Sequence, residues 1–264
     1  MYTHNLEPVL FNIYFLEIRW YSLAYIVGIT LGWWYAKKVC SFLNKSKNVP
    51  IKGEEFDNLI SYLIAGIIVG GRMGYVIFYN PGFYLFNPME ILKIWEGGMS
   101  FHGGLIGIII SVIIFSRKNN LNSLMYLDVI ACVAPIGLFL GRLANFINSE
   151  LIGKPTQFFL NVIFPKIDEL PRHPSQIYEA LLEGVCLFLI LNFLIFRKNY
   201  QLGVVSSCFL IFYGLFRIIS EFFREPDAHL GYLFYSISMG TVLSMCMIVV
   251  GLGLYKKVKN GFKK

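Results

Sequence analysis

Seven apolar blocks fall at residues 20–36, 59–78, 101–115, 124–140, 178–196, 204–220 and 232–255, each nearly free of charge. A helix needs about 20 such residues to cross the roughly 30 Å hydrocarbon core of a bilayer, and there only helices and closed barrels satisfy their own backbone groups. The third block is short and is expected to extend at its ends. The expected fold is an all-α polytopic membrane protein with about seven transmembrane helices, residues 1–264 making a single integral membrane domain. Composition agrees, with 56% of residues apolar and 15% charged, where soluble chains have about 45–50% and about 25%. Secreted disulfide scaffolds, disordered tails and cytosolic enzymes are excluded.

The five cysteines, Cys40, Cys132, Cys186, Cys208 and Cys246, lie singly in or beside apolar blocks with no CxxC pair. They read as small buried hydrophobes, with neither a metal site nor a disulfide framework expected. The first dozen residues lack a basic stretch, and no small-residue cleavage site follows the first block, so the first helix is expected to remain in the mature protein. A net charge of +7 would suit nucleic acid, yet no basic stripe with interleaved aromatics is present.

The lysines and arginines instead follow topology. Lys37, Lys38, Lys45, Lys47 and Lys52 lie between the first two blocks, Arg117 and Lys118 after the third, Arg197 and Lys198 after the fifth, and Lys256, Lys257, Lys259, Lys263 and Lys264 at the end. These are alternate connections, and positive charge is retained on the cytoplasmic side. The N-terminus is therefore expected outside and the C-terminus in the cytoplasm. The longest outer segment, 142–174, carries Pro155, Pro165, Pro171 and Pro174, is too polar to span, and is expected to form a small outer-face cap.

Glycines recur four residues apart at Gly28 and Gly32, at Gly66, Gly70 and Gly74, at Gly103 and Gly107, and at Gly137 and Gly141. In lipid this spacing lets helix backbones approach closely. Ionisable groups within spans are costly and mark functional candidates. Asp128 suits a helix cap or a pair with a loop lysine. Glu179 follows Pro174, where a carboxylate suits the helix dipole, and Glu183 suits pairing with a buried arginine. Arg217, Glu221 and Arg224 share one face at i, i+4 and i+7 if the helix continues into SEFFREPD. That face has two arginines for one glutamate, and the surplus charge is expected to face an anionic ligand.

Arg142, Asn145, Asn148 and Glu150 concentrate polar groups at a membrane edge within GRLANFINSELIG. His102 precedes Gly103 and Gly104, which let backbone or substrate come close. Its imidazole titrates near neutral pH and serves either as a general base or as a helix-start donor to a carbonyl. His4, His173 and His229 are expected to have structural or capping roles. Arginine's planar fork matches phosphate oxygens, so arginines gathered near the outer leaflet point to an enzyme acting on the phosphate of a membrane lipid.

At these residues the chain resembles the prolipoprotein diacylglyceryl transferase family of bacteria. GRLANFINSELIG is the most specific block, and IRWYSLAYIVG, GGRMGY, FHGGLIG, HPSQIYEA and YGLFRIISEFFREPD occur around it in order, covering nearly the whole chain. The resemblance implies a bacterial inner-membrane enzyme whose active site faces outward. It would transfer the sn-1,2-diacylglyceryl group of phosphatidylglycerol to the lipobox cysteine thiol of a prolipoprotein signal peptide, releasing glycerol 1-phosphate. No cofactor or metal is implied, and the expected partners are membrane lipids, with no nucleic acid.

The family's signature arginine corresponds to Arg142, its histidine to His102, its sixth-span arginine to Arg217 and its first-span tyrosine to Tyr25. His102, Arg142 and Arg217 are then expected to be catalytic. Arg142, Arg217, Arg72, Arg224, Tyr25 and Asn145 are expected to bind phospholipid, with Glu150, Gly153, Glu221, Gly103 and Gly104 in support. The thiolate, not the thiol, is the nucleophile, so His102 is the candidate proton acceptor, with Tyr25 or Glu221 next. A transporter or flippase of anionic headgroups is the competing reading, since it too would need buried arginines and glycine-rich helices.

Overall fold

The computed structural model describes residues 2–13, 16–226 and 237–261. Expectations for Asp227, His229, the start of the last apolar block at 232–236, and Lys263 and Lys264 lie outside the described residues.

The chain opens with a short strand, β1 (Tyr2–Thr3), and an antiparallel pair, β2 (Val9–Ile13) and β3 (Leu16–Arg19), before α1 (Trp20–Lys47). There follow α2 (Gly53–Phe78), α3 (Pro81–Phe86), two 3₁₀ turns at Pro88–Leu92 and Ile94–Glu96, α4 (Phe101–Lys118) and α5 (Ser123–Ile147). Beyond β4 (Val162–Ile163) and β5 (Pro171–Arg172), α6 (Ser175–Glu179) runs through a π-helical turn (Ala180–Cys186) into α7 (Leu187–Phe196). The chain closes with α8 (Val204–Glu221) and α9 (Met239–Gly261).

Among the described residues, six helical segments are long and apolar enough to cross a membrane: α2, α4, α5, the continuous Ser175–Phe196, α8 and α9. The first expected span lies in α1, which is 28 residues long and carries Trp33, Trp34 and Tyr35 among its aliphatics. It continues past the expected end at 36 to Lys47, because the basic connection is itself helical. Ile106, Ile110 and Ile114 form an exposed stripe four residues apart on α4, and Leu189 and Phe193 do the same on α7. Such faces are unfavourable in water and suited to acyl chains.

Contacts divide the chain into two compact units, residues 37–129 and residues 1–36 with 130–264. In the first unit α2 and α4 pack through glycine. A Cβ on Gly66 would stand 2.6 Å from the Gly107 carbonyl oxygen, one on Gly70 2.8 Å from the Gly107 Cα, and one on Gly74 2.5 Å from the Gly103 Cα. The missing side chains bring backbone against backbone, as the four-residue spacing predicts. Of the four-residue-spaced glycines in the second unit, Gly28 alone meets backbone, its Cβ position lying 3.4 Å from Gly137 Cα, whereas Gly32, Gly137 and Gly141 face open space. Their spacing does not mark a seam.

The polar segment 142–174 leaves helical structure only after Ile147, because α5 carries Arg142 and Asn145 to that point. Its sheet takes a strand from the N-terminus, in the order β1-β4-β5, with Tyr2 parallel to Val162. His4 follows that strand and is buried, its Nδ1 3.2 Å from Ser149 Oγ. Burial, assisted by the positive charge of Lys166, lowers the pKa of His4, although a hydrogen bond at Phe146 opposes the shift. Arg172 of β5 ties this segment together, donating to Asp168, to Glu225 and, at 3.0 Å, to the Gly153 carbonyl. Those hydrogen bonds from Arg172 hold the Asp168 carboxyl below the ordinary carboxylate value.

Candidate active site

Two carboxylates one turn apart in an apolar span are expensive unless cations meet them. Glu179 ends α6 and Glu183 lies in the π-helical turn, and both are fully buried. Arg142 from α5 places Nε 2.8 Å from Glu179 Oε2 and Nη2 3.0 Å from Glu183 Oε2. Arg217 from α8 places Nη1 3.1 Å from the same Glu179 oxygen and 3.6 Å from Glu183 Oε1. Two guanidinium groups, which would repel one another alone, are thus held by a shared pair of carboxylates. The π turn widens the helix by one residue where Glu183 must reach both arginines, and such turns recur at functional sites.

The third arginine arrives differently from the sequence expectation. The helix stops at Glu221, and Arg224 lies beyond it, in a bridge to Gly153. The i, i+4 pair is present, with Arg217 Nη2 2.5 Å from Glu221 Oε1, while Arg224 turns to Glu179 Oε1 at 3.8 Å. Ser238 donates to the second oxygen of Glu221 at 2.8 Å. Among the described residues the cluster holds Arg142, Arg217 and Arg224 against Glu179, Glu183 and Glu221. The expected surplus of positive charge on this face is therefore corrected, because Glu179 and Glu183 arrive from another span. Glu179 is a hub for all three arginines and not a helix-dipole residue, and Glu183 pairs with buried arginines as expected.

The signature block lies directly beneath this cluster in sequence. Past the end of α5 the chain reverses through Ser149 and Leu151, both in the left-handed region at φ 56° and 55°. Asn145 and Asn148 donate to the two oxygens of Glu150 at 3.1 and 3.3 Å, and Gln176 donates to its carbonyl at 2.6 Å. The two asparagines thus hold a carboxylate at the exposed end of the block. Gly153 admits no side chain, because a Cβ would collide with the His173 carbonyl oxygen. Its neighbours bond to the segment after α8, with Lys154 N donating to Phe223 O at 2.8 Å and Glu225 N to Ile152 O at 3.0 Å. Tyr25 is exposed on α1, its hydroxyl 3.2 Å from that of Tyr21.

Arg72, His102, Gly103 and Gly104 belong to the other unit. Arg72 makes four hydrogen bonds to carbonyls of the segment after α3: Nε to Ile91 at 3.0 Å, Nη1 to Gly97 at 2.5 Å and Gly98 at 3.3 Å, and Nη2 to Glu90 at 2.6 Å. Its guanidinium also lies over the Tyr84 ring at 5.2 Å. These bonds make Arg72 an anchor of that loop. His102 is buried in the first turn of α4, where Ser100 caps the helix by accepting from Gly103 N at 3.2 Å. Gly103 belongs to the glycine seam, and the Cβ position of Gly104 stands 3.8 Å from Ile67 O.

Of the residues singled out from sequence, the structure unites Arg142, Arg217, Arg224 and Glu221 in one cluster and joins Asn145 with Glu150. Glu179, at the centre, was assigned a lesser role. The signal for it was available in two carboxylates at i, i+4 inside a span, which demand cations from elsewhere in the fold.

The chain is thus a multi-pass helical membrane protein with a buried arginine–glutamate cluster near the ends of α5 and α8. The family model described as prolipoprotein diacylglyceryl transferase matches residues 8–256. A Rickettsia bellii protein named phosphatidylglycerol–prolipoprotein diacylglyceryl transferase is 49% identical over 257 residues, covering 97% of this chain and 96% of the relative. Proteins of the same name from Rickettsia felis and Rickettsia typhi are each 51% identical, the first covering 94% of this chain and 95% of the relative, the second 95% and 96%. The chain belongs to the prolipoprotein diacylglyceryl transferase family.

Proposed function

We propose that this protein transfers the sn-1,2-diacylglyceryl group of phosphatidylglycerol to the lipobox cysteine thiol of prolipoproteins, forming a thioether and releasing glycerol 1-phosphate. The supporting observation is the convergence of Arg142 and Arg217, from separate helices, on one buried carboxylate pair. Guanidinium groups fixed in advance at the end of an apolar span lose little order when they take up a phosphate. The family match favours transfer and leaves the flippase reading without support.

The reaction is a displacement at the glyceryl carbon that bears the phosphate. The cysteine proton passes to His102, sulfur bonds to carbon, and the carbon–oxygen bond breaks with its electron pair left on the phosphate. Arg142 and Arg217 hold the phosphate and offset the charge gathering on the leaving oxygen, a role worth roughly 10²–10³ in rate for one donor. Asn145 and Glu150 fix the signature turn, Glu221 orients Arg217, and Tyr25 and Arg224 border the lipid. The basic connections set the N-terminus outside and the C-terminus in the cytoplasm, with the active site toward the outer face and the segment before Ser175 as its cap.

The purified protein in phosphatidylglycerol vesicles, given a lipobox peptide, is expected to yield a peptide heavier by one diacylglyceryl group together with glycerol 1-phosphate. Lipid movement across the vesicle without peptide modification would sink the proposal. His102→Gln is expected to lose the rise in rate between about pH 6 and 8 that an imidazole base confers. A pH-insensitive variant of undiminished rate would move the base elsewhere.

A further inference from the structure

Among the described residues the phosphate site just proposed is already charge-balanced before substrate arrives. Arg142, Arg217 and Arg224 face Glu179, Glu183 and Glu221, and the guanidinium nitrogens that would grip a phosphate are those that the glutamates contact. A phosphodiester brings one more negative charge into this buried setting, where an uncompensated charge is strongly disfavoured. A proton entering with it restores the balance. Glu179 is gripped by three arginines, at 2.8, 3.1 and 3.8 Å. Among the described residues Glu183 has two, at 3.0 and 3.6 Å, and its Oε1 has no hydrogen bond. Facing Glu183 are Arg142 from α5, Arg217 and the Tyr213 hydroxyl from α8, and Glu179 from its own helix. The second carboxylate disfavours a charged Glu183 once the arginines turn to phosphate.

Resting on the phosphate site above, we propose that Glu183 takes up one proton when the phosphodiester enters between Arg142 and Arg217, and returns it to the phosphate that leaves. The step balances. Sulfur–carbon bond formation breaks the carbon–oxygen bond and leaves a second negative charge on the phosphate, and the Glu183 proton neutralises it. The carboxylate thus regenerated takes back the arginines and favours release of glycerol 1-phosphate.

The test titrates the full-length protein in detergent with dihexanoyl phosphatidylglycerol, a phosphodiester whose single charge is fixed between about pH 5 and 9, the range in which buried glutamates titrate. Binding heats in two buffers of different ionisation enthalpy count the protons. About one proton is expected per lipid bound, with affinity falling about tenfold per pH unit where the linkage operates. In Glu183→Gln the uptake is expected to vanish and the affinity to become independent of pH. Wild-type binding without proton uptake overturns the proposal and leaves the phosphate site standing, and uptake undiminished in Glu183→Gln overturns the assignment to Glu183. Failure of the wild type to bind the lipid, or binding undiminished in Arg142→Gln and Arg217→Gln, overturns the phosphate site itself.

Discussion

The α2–α4 seam and the cluster on α5, α6–α7 and α8 solve the same problem by opposite means. Both join helices in a medium where apolar side chains gain nothing from meeting one another in preference to lipid. The seam removes side chains until backbones touch, with Gly66, Gly70 and Gly74 against Gly103 and Gly107. The cluster instead inserts six charged side chains and requires that each find its partner. A glycine seam is passive and tolerates no addition, whereas the ion cluster is costly to assemble and tolerates no subtraction. Only the second leaves groups able to exchange a protein partner for a ligand.

The contrast is sharpest at the hub. Glu179→Ala leaves Arg142 and Arg217 to share Glu183, and removing one partner of a buried ion pair costs about 3–5 kcal/mol. Thermal unfolding in detergent is expected to show this as the largest loss, and an unchanged midpoint would mean that the cluster is not structural. Gly107→Ala tests the seam, because the added carbon collides with the Gly66 carbonyl. Overpacking costs about 1–3 kcal/mol, and the same melt is expected to show a smaller drop. Gly137→Ala, which meets nothing within 4 Å, is expected to leave the midpoint unchanged. A third region, the β1-β4-β5 sheet beside His4, gives the smallest effect. Burial lowers the pKa of His4 and His173, so the neutral imidazoles contribute stability in full above their ordinary value of 6.5. That stability declines as the pH falls below it. Amide exchange protection at Val162 and Ile163 is expected to weaken from about pH 7 to pH 5, and to weaken less in His4→Phe.

How much of this was legible in sequence differs between the regions. The seam is written as a four-residue period, and α4 and α8 begin within a residue of the apolar blocks that mark them. The same period at Gly32 and Gly141 carries no seam, because glycine spacing states what a helix permits and not what lies opposite. The charged residues announced themselves as candidates, but their pairing did not, since Arg142 and Glu183 lie 41 positions apart and Arg217 and Glu179 lie 38 apart. Counting charges on one helix face therefore gave a surplus that the neighbouring helix cancels. The donors of Arg72 were likewise taken by carbonyls, which no side-chain pattern records. The short strands at Tyr2–Thr3 and Val162–Ile163 escaped because each pairs with a segment far away in the chain.

The account rests on Arg142 and Arg217 gripping the substrate phosphate with a geometry that a point charge cannot reproduce. The most direct measurement is the rate of thioether formation on a lipobox peptide by Arg142→Lys, taken beside its thermal unfolding midpoint. A fall of roughly 10²–10³ with the fold retained is the predicted result, because lysine preserves the charge that Glu179 and Glu183 require and loses the bidentate fork. Transfer at a near-normal rate by a folded Arg142→Lys would contradict it.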